Sequence, residues 1–420
     1  MSSKYKKLVR ELSQKTGVSY AGAVNLLRKG ATPQSITPVD HMVFCGPLYP
    51  VQRFLVKLVY NLELDSKIPE DTSARITIPN GPIAPKHIRT FSEKDYLAYL
   101  FNEGRCNIGV QDHDRREAAL VLGRRSGKTR LTGLIASYEV RKVLEIGDHQ
   151  AYFDRPERSR IQVLTVSTDK DTAEVLMSSS AALVSSNPYF KPYLSSNTHT
   201  YLNFRSPHDL EIQDGKATVR LKFSSTRSKG IRGNPNVAVV MDEPAYSHDG
   251  GKESYAAATP SAYSFRHKPG FGRIVLLSSP RDRSGKLFEI HEKAMQGSQE
   301  HLTVRIPTWE VNPTISASFY ETLKVAGQRS FKQYQAEFDD APAGLPAEVI
   351  QQAIDLHKEY PVGLLRLANS YVTGDSETKQ QWAQQILAGI VEKLSDSEAE
   401  ILIKVASGLL SQSAAGSEER

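Results

Sequence analysis

The chain has 420 residues, 39% of them hydrophobic and 24% charged, with a formal net charge of +6. That is an ordinary globular composition, long enough for two or three packed domains, and its mild basicity suits a polyanionic partner without establishing one. Two cysteines, Cys45 and Cys106, exclude a disulfide framework and a cysteine metal cluster. No apolar run reaches the ~18 residues of a membrane span, and the basic start MSSKYKKLVREL lacks the apolar stretch and cleavage site of a signal peptide. The expectation is a cytosolic, reduced, soluble protein without membrane association.

Residues 1–37 read as a small helical extension. KYKKLVRELSQKTG and VSYAGAVNLLRKG each place apolar residues at helical spacing around Gly17. Such a pair is either a docking element or a helix-turn-helix. From 38 to 308 short β-branched runs alternate with helical ones. LYPVQRFLVKLVY (48–60) is an amphipathic helix carrying Gln52. Strands are expected at 118–122, 161–166, 218–223, 236–241 and 273–279, each reading as apolar on both faces. Helices are expected at 128–146, 169–178 and 284–296. This alternation predicts a βαβ-built, three-layer α/β domain. After Pro307 no strand is expected. Helices are read over 316–339, 345–358, 361–371, 376–395 and 397–411, giving a helical linker region (309–345) and a helical C-terminal region (346–420) with a frayed tail. In the latter, Trp382, Ile386, Ile390 and Leu394, then Ile401, Val405 and Leu409, form apolar stripes that must be covered by the chain's own larger domain or by another chain.

AALVLGRRSGKTRLTG carries the most information. An apolar strand runs into a tight turn ending Gly127-Lys128-Thr129, where a helix begins, which is the context a phosphate-binding loop requires. Backbone N–H groups and the positive helix terminus cradle phosphate oxygens. Gly127 permits close approach, Lys128 reaches the β/γ-phosphates and the Thr129 hydroxyl ligates Mg²⁺. The usual first glycine is replaced by Leu122, and the nearest glycine is Gly123, one residue late.

NVAVVMDEPA (236–245) is an apolar strand ending in two carboxylates. Asp242 is placed to hold Mg²⁺ through water, and Glu243 to orient and deprotonate the attacking water. RIVLLSSP (273–280) ends in Ser278-Ser279-Pro280, where a hydroxyl can contact the γ-phosphate and report its loss. The Gln52 amide can make two hydrogen bonds to an adenine edge. The fold expected is a P-loop NTPase of the ASCE, RecA-like kind.

Together these residues resemble the ATPase region of phage large terminases. The resemblance is carried by Leu48-Tyr49-Pro50-Val51-Gln52-Arg53, by Gly123-Arg124-Arg125-Ser126-Gly127-Lys128-Thr129, by Val239-Val240-Met241-Asp242-Glu243, and by Ser278-Ser279-Pro280 followed by Gly285-Lys286. Weaker echoes are Gly230-Ile231-Arg232-Gly233, Pro307-Thr308-Trp309-Glu310-Val311-Asn312-Pro313 and Tyr334-Gln335-Ala336-Glu337-Phe338, so the match spans about residues 46–345. The resemblance implies an ATP- and Mg²⁺-dependent motor subunit that moves double-stranded DNA into a viral procapsid. It further implies a homo-oligomeric ring, pentameric in the family, working with a portal protein and a small terminase in the cytoplasm of an infected host. Arg124 stands where the family has an arginine finger supplied by the same chain, with Arg125 the competing candidate; Arg232 and Arg281 are candidates to act in a neighbouring subunit. The chain departs from the family after the linker. About 75 residues remain there, with scattered Asp355, Glu359, Asp375 and Glu377 and no strands, so no RNase H-like nuclease is expected and cleavage would fall to a separate subunit. Two other readings stay open. One is a helicase-like or defence-system DNA translocase, for which a second RecA-like domain finds no room. The other is an ATP-dependent DNA-binding assembly protein, against which Lys128, Thr129, Asp242 and Glu243 argue.

Overall fold

The computed structural model describes residues 37–44, 48–79, 88–212, 215–226, 231–315 and 328–338. The chain divides into two units, Met1–Asp339 and Asp340–Arg420, and the described residues all belong to the first. The helices read over 1–36 and beyond 345, with their apolar stripes, lie outside the described residues.

A small antiparallel pair, β1 (Ile76–Pro79) and β2 (Ile88–Phe91), stands apart from an eight-stranded sheet. The large sheet is built from β3 (Glu117–Leu122), β4 (Ile161–Ser167), β5 (Leu194–Asn197), β6 (Tyr201–Phe204), β7 (Val219–Ser225), β8 (Asn236–Asp242), β9 (Arg273–Ser278) and β10 (His301–Ile306). Its order is β10-β3-β9-β8-β4-β7-β6-β5. The strands from β10 to β7 are parallel, and β6 and β5 extend the sheet antiparallel.

The sequence dictates this layering through strands that are apolar in both directions. On one face Ala118, Leu120 and Leu122 of β3, Val240 of β8 and Val275 and Leu277 of β9 join Leu131, Leu134 and Ile135 of helix Lys128–Ile146. Leu176 and Val184 of helix Lys170–Ser186 and Phe54 and Leu55 of helix Pro50–Val59 complete that layer. On the other face Ala119, Val121, Val239, Met241, Ile274 and Leu276 pack against helices Lys252–Tyr263 and Gly285–Met295 through Tyr255, Ala258, Leu287 and Ile290. Burying each Val, Leu or Ile is worth about 1.5–3 kcal/mol, so the sheet is the energetic centre of the unit. The expected three-layer α/β architecture is therefore present.

Three expectations need correction. The segment 218–223 is not apolar on both faces: Val219, Leu221 and Phe223 are buried, but Arg220 and Lys222 are half-buried on the opposite side. β10 was not expected, because HLTVRI mixes apolar with polar residues. Its polar members find local partners, Thr303 Oγ1 with His291 Nδ1 at 2.8 Å and the Arg305 guanidinium with the Gly104 carbonyl at 3.1 Å. The helix read over 169–178 continues to Ser186.

Leu120 lies fully buried at the middle of β3. Leu120→Ala is expected to lower unfolding free energy by about 2–5 kcal/mol in urea titration, the usual cost of a cavity in a rigid core.

Candidate nucleotide site

β3 ends at Leu122 and the helix begins at Lys128, so the chain must reverse within five residues, 123–127. The turn is made by Gly127, the N-cap of the helix, at φ 83° and ψ 27°. Only glycine takes that conformation without a steric penalty. A Cβ there would also come within 2.8 Å of the Gln52 amide nitrogen. Arg125 adopts φ 62° without that freedom, a strain of about 1–2 kcal/mol. The loop thus delivers the unpaired N–H groups of a 19-residue helix to the C-terminal edge of the sheet.

Lys128 is buried, and its ammonium donates to the carbonyls of Gly123 (3.0 Å) and Leu122 (3.3 Å) and pairs with Glu243 Oε1 at 3.2 Å. Glu243 follows β8 directly and turns back in the left-handed region, φ 53°, with its N–H on the Leu277 carbonyl of β9. Its Oε2 accepts from Ser278 Oγ at 2.9 Å and from Ser279 N at 2.8 Å, and Ser279 Oγ lies 3.4 Å from Oε1. Lys128, Glu243, Ser278 and Ser279, far apart in sequence, are therefore one hydrogen-bonded cluster.

Asp242 is fully buried at the end of β8. Its Oδ1 accepts from Thr132 Oγ1 at 3.2 Å, and the neighbouring Thr129 hydroxyl pulls the carboxyl pKa down. Among the described residues its Oδ2 has no partner, and neither has the buried Ser126 hydroxyl. Unpaired buried acceptors of this kind are costly in a folded chain. A carboxylate oxygen left open beside a threonine hydroxyl is the donor set a hard, water-carrying cation takes, so Thr129 and Asp242 fit Mg²⁺. Burial, and then the neighbouring Glu243 charge, push the Asp242 pKa up to about 6.

The remaining expected residues are placed as follows. The Gln52 amide is already engaged: it donates to the Ser126 carbonyl at 2.9 Å and accepts from Tyr49 N at 3.2 Å, so it braces the loop from one side. Gly123 is filled in on the opposite side. A Cβ there would collide with Thr308 Oγ1 and with the Tyr334 carbonyl. Arg124 is exposed, its guanidinium 5.9 Å from the centre of the Tyr246 ring, and the Tyr246 hydroxyl donates to the Pro280 carbonyl at 3.1 Å. Arg125 is exposed, and its carbonyl accepts from Asn312 Nδ2 at 2.9 Å. Arg124 is thus the arginine directed toward the segment that follows Glu243. Arg281 lies 3.5 Å from Asp282 and Arg232 lies 3.8 Å from Glu253.

Sequence reasoning missed several members. Thr308 Oγ1 donates to the Arg124 carbonyl at 2.7 Å, and Arg124 N donates to the Gln333 carbonyl at 3.2 Å. Gln333, read as linker, and Thr308, read as the end of the α/β domain, therefore grip the phosphate loop together. Ser167, paired with Asp242 across β4 and β8, is buried with an unpartnered hydroxyl. Its position at the end of a strand beside the acidic one was the available signal.

Two outcomes follow from this geometry. Ionised Asp242 opposes folding, because its folded pKa lies above the unfolded value of 3.8. The penalty is absent below about pH 4, grows as pH rises through about 6, and is complete above that, reaching about 3 kcal/mol. Without metal or nucleotide, Asp242→Asn is expected to raise the melting temperature at pH 7–8, with the gain vanishing near pH 4. An unchanged melting temperature at pH 8 would contradict the assignment. Gly123→Ala is expected to cost about 1–3 kcal/mol by overpacking and to shift the fluorescence of Trp309, which lies next to Thr308.

Solved structures similar to the chain include two of the large terminase ATPase domain of Thermus phage P74-26. One is a mutant form, 16% identical with a TM-score of 0.42 over 56% of this chain and 93% of that one. The other is 18% identical, with a TM-score of 0.41 over 56% and 92%. The large terminase of bacteriophage HK97 is 14% identical, with a TM-score of 0.38 over 66% of this chain and 57% of that one. No curated protein matches the sequence. Residues 100–336, more than half of the chain, match the family model described as the N-terminal P-loop domain of the uncharacterized protein MJ0330, and the chain belongs to that family.

Proposed function

We propose that the protein is an ATPase of the large-terminase type, a motor subunit that uses ATP hydrolysis to move double-stranded DNA. The observation that supports it most is the single cluster formed by Lys128, Glu243, Ser278 and Ser279 beside the open Asp242 oxygen. The portal protein, small terminase, ring assembly and separate nuclease belong to the same proposal and rest on the motif resemblance. No helix among the described residues is long and apolar enough to cross a membrane.

The cluster suggests an order of events. Lys128 now saturates its ammonium with Glu243 and two carbonyls. When ATP enters, its β/γ-phosphates compete for that ammonium and release Glu243 Oε1. Oε2 stays on Ser278 and Ser279, so the carboxylate remains aimed while one oxygen becomes a base. Water attacks the γ-phosphorus, the bond to the ADP oxygen breaks, and the water proton passes to Glu243. Thr129 and Asp242 would hold Mg²⁺, which when bound would supply charge neutralisation on the phosphates. Arg124, whose guanidinium lies over the Tyr246 ring, is the side chain we assign to stabilise charge on the transferring group. Loss of phosphate then reaches Ser278 and Ser279 through Glu243.

Glu243→Gln is expected to reduce phosphate release by about 10²–10⁴-fold while fluorescent-nucleotide binding survives. Lys128→Ala is expected to lose binding itself. Wild-type turnover in Glu243→Gln would sink the assignment of the base.

A further inference from the structure

Among the described residues β6, and β7 from Val219 to Phe223, alternate between a buried side and a half-exposed one, which is the open side below. Leu202, Phe204, Val219, Leu221 and Phe223 join the apolar layer beneath helix Lys170–Ser186. No residue of β5, β6 or β7 belongs to the apolar cluster on the other face. There Tyr201 and Asn203 of β6 lie opposite Lys222 and Arg220 of β7. An open face on an antiparallel extension is ordinary, and polar residues on it need no ligand.

The charge on this face is what calls for one. β4 runs parallel to β7 with Ile161 opposite Val219, and β6 runs antiparallel with Phe204 opposite Val219. Arg160 before β4, Arg220 within β7 and Arg205 after β6 therefore gather at one end of three neighbouring strands. Arg160 and Arg205 are exposed. None of the three arginines forms an ion pair with a described residue. Arg220 stacks 4.1 Å from the Tyr201 ring centre, and its Nε donates to Asn203 Oδ1 at 3.0 Å. Asn203 is in turn held by Ser196 Oγ of β5 at 2.9 Å. Burial and the charge of Arg160 lower the Arg220 pKa, and burial and Arg220 lower that of Lys222, so the like charges act on one another.

We propose that this open face of β7, β6 and β5, with Arg160, Arg205, Arg220 and Lys222, is the surface that holds the phosphodiester backbone of duplex DNA. A sheet face with three arginines near one end of neighbouring strands, a lysine further along β7, and a fixed amide and tyrosine beside them offers phosphate contacts without reading base edges. It lies at the strand ends opposite those that carry Lys128 and Asp242, so DNA and nucleotide bind without competing. The proposal rests on the motor reading and names the partner's surface.

Equilibrium anisotropy with a short labelled mixed-sequence duplex, without nucleotide, tests it. Arg160→Gln/Arg205→Gln/Arg220→Gln is expected to bind at least tenfold more weakly and to flatten the plot of log affinity against log salt by about 2–3. Arg160→Gln/Arg205→Gln, which leaves the Arg220 stack intact, is expected to flatten it by about 2. Lys67→Gln/Lys293→Gln, on exposed positions elsewhere, controls for net charge. Equal affinity of the arginine variants and this control overturns the proposal, as does absence of duplex binding by the wild type. DNA-free hydrolysis is measured in parallel. If duplex binding falls as expected but no variant or wild type hydrolyses ATP, the motor reading fails and the surface stands.

Discussion

The strand inserted between the phosphate loop and the acidic pair is the constraint that organises this unit. With β9 between β3 and β8, Lys128 and Asp242 start from strands about 10 Å apart rather than about 5 Å. That separation leaves room for phosphates and a metal, but it also leaves Glu243 to span the gap. The chain solves this by turning Glu243 into the left-handed region directly after β8 and tying its N–H to the Leu277 carbonyl. The inserted strand then supplies Ser278 and Ser279 as the carboxylate's anchors. A non-glycine residue at φ 53° costs energy, and it persists because bonds on both its backbone and its side chain hold it there.

The phosphate loop depends on two flanks that are remote in sequence. Gln52 holds the Ser126 carbonyl from one side, while Thr308, Asn312 and Gln333 hold the Arg124 and Arg125 backbone from the other. Gly123 gives the second flank its closeness, and this explains why the glycine sits one residue later than the usual template. In this structure that position accommodates the protein's own backbone, and its N–H bonds the Ile306 carbonyl. The loop can keep a strained Arg125 because neither of its flanks is free to relax.

The central strands were legible in the sequence because a parallel sheet covered on both faces demands continuous apolar runs, and ALVL, VLTV, VAVVM and IVLL are such runs. Lys128, Thr129, Asp242 and Glu243 were legible because phosphate and metal chemistry restricts residue types at short spacing. β10 and the β5–β6 pair were not, since an edge or half-covered strand tolerates His301, Arg305 or Asn203, which dilutes the pattern. The grip of Thr308 and Gln333 on the loop was invisible for a different reason. It joins residues some 200 positions apart, and its acceptors are the backbone carbonyls of Arg124 and Gln333, which leave no mark on the identity of those residues. Gln52 showed the same limit: the residue was found, but its hydrogen bonds go to the loop and to its own helix end.

The unpaired oxygen of Asp242 and the unpaired hydroxyls of Ser126 and Ser167 have a consequence for the protein's survival in a cell. All three are buried polar atoms at or beside the candidate site; under the proposed function a bound nucleotide and its metal would meet the Asp242 oxygen, and the ligand-free protein would be the less stable form. A ligand that binds only the folded chain adds about 2.7 kcal/mol of stability at a hundredfold excess over its dissociation constant. That is roughly a hundredfold drop in the unfolded fraction on which proteases act. Degradation of this chain would then follow the energy charge of its surroundings, removing idle copies first and sparing loaded ones.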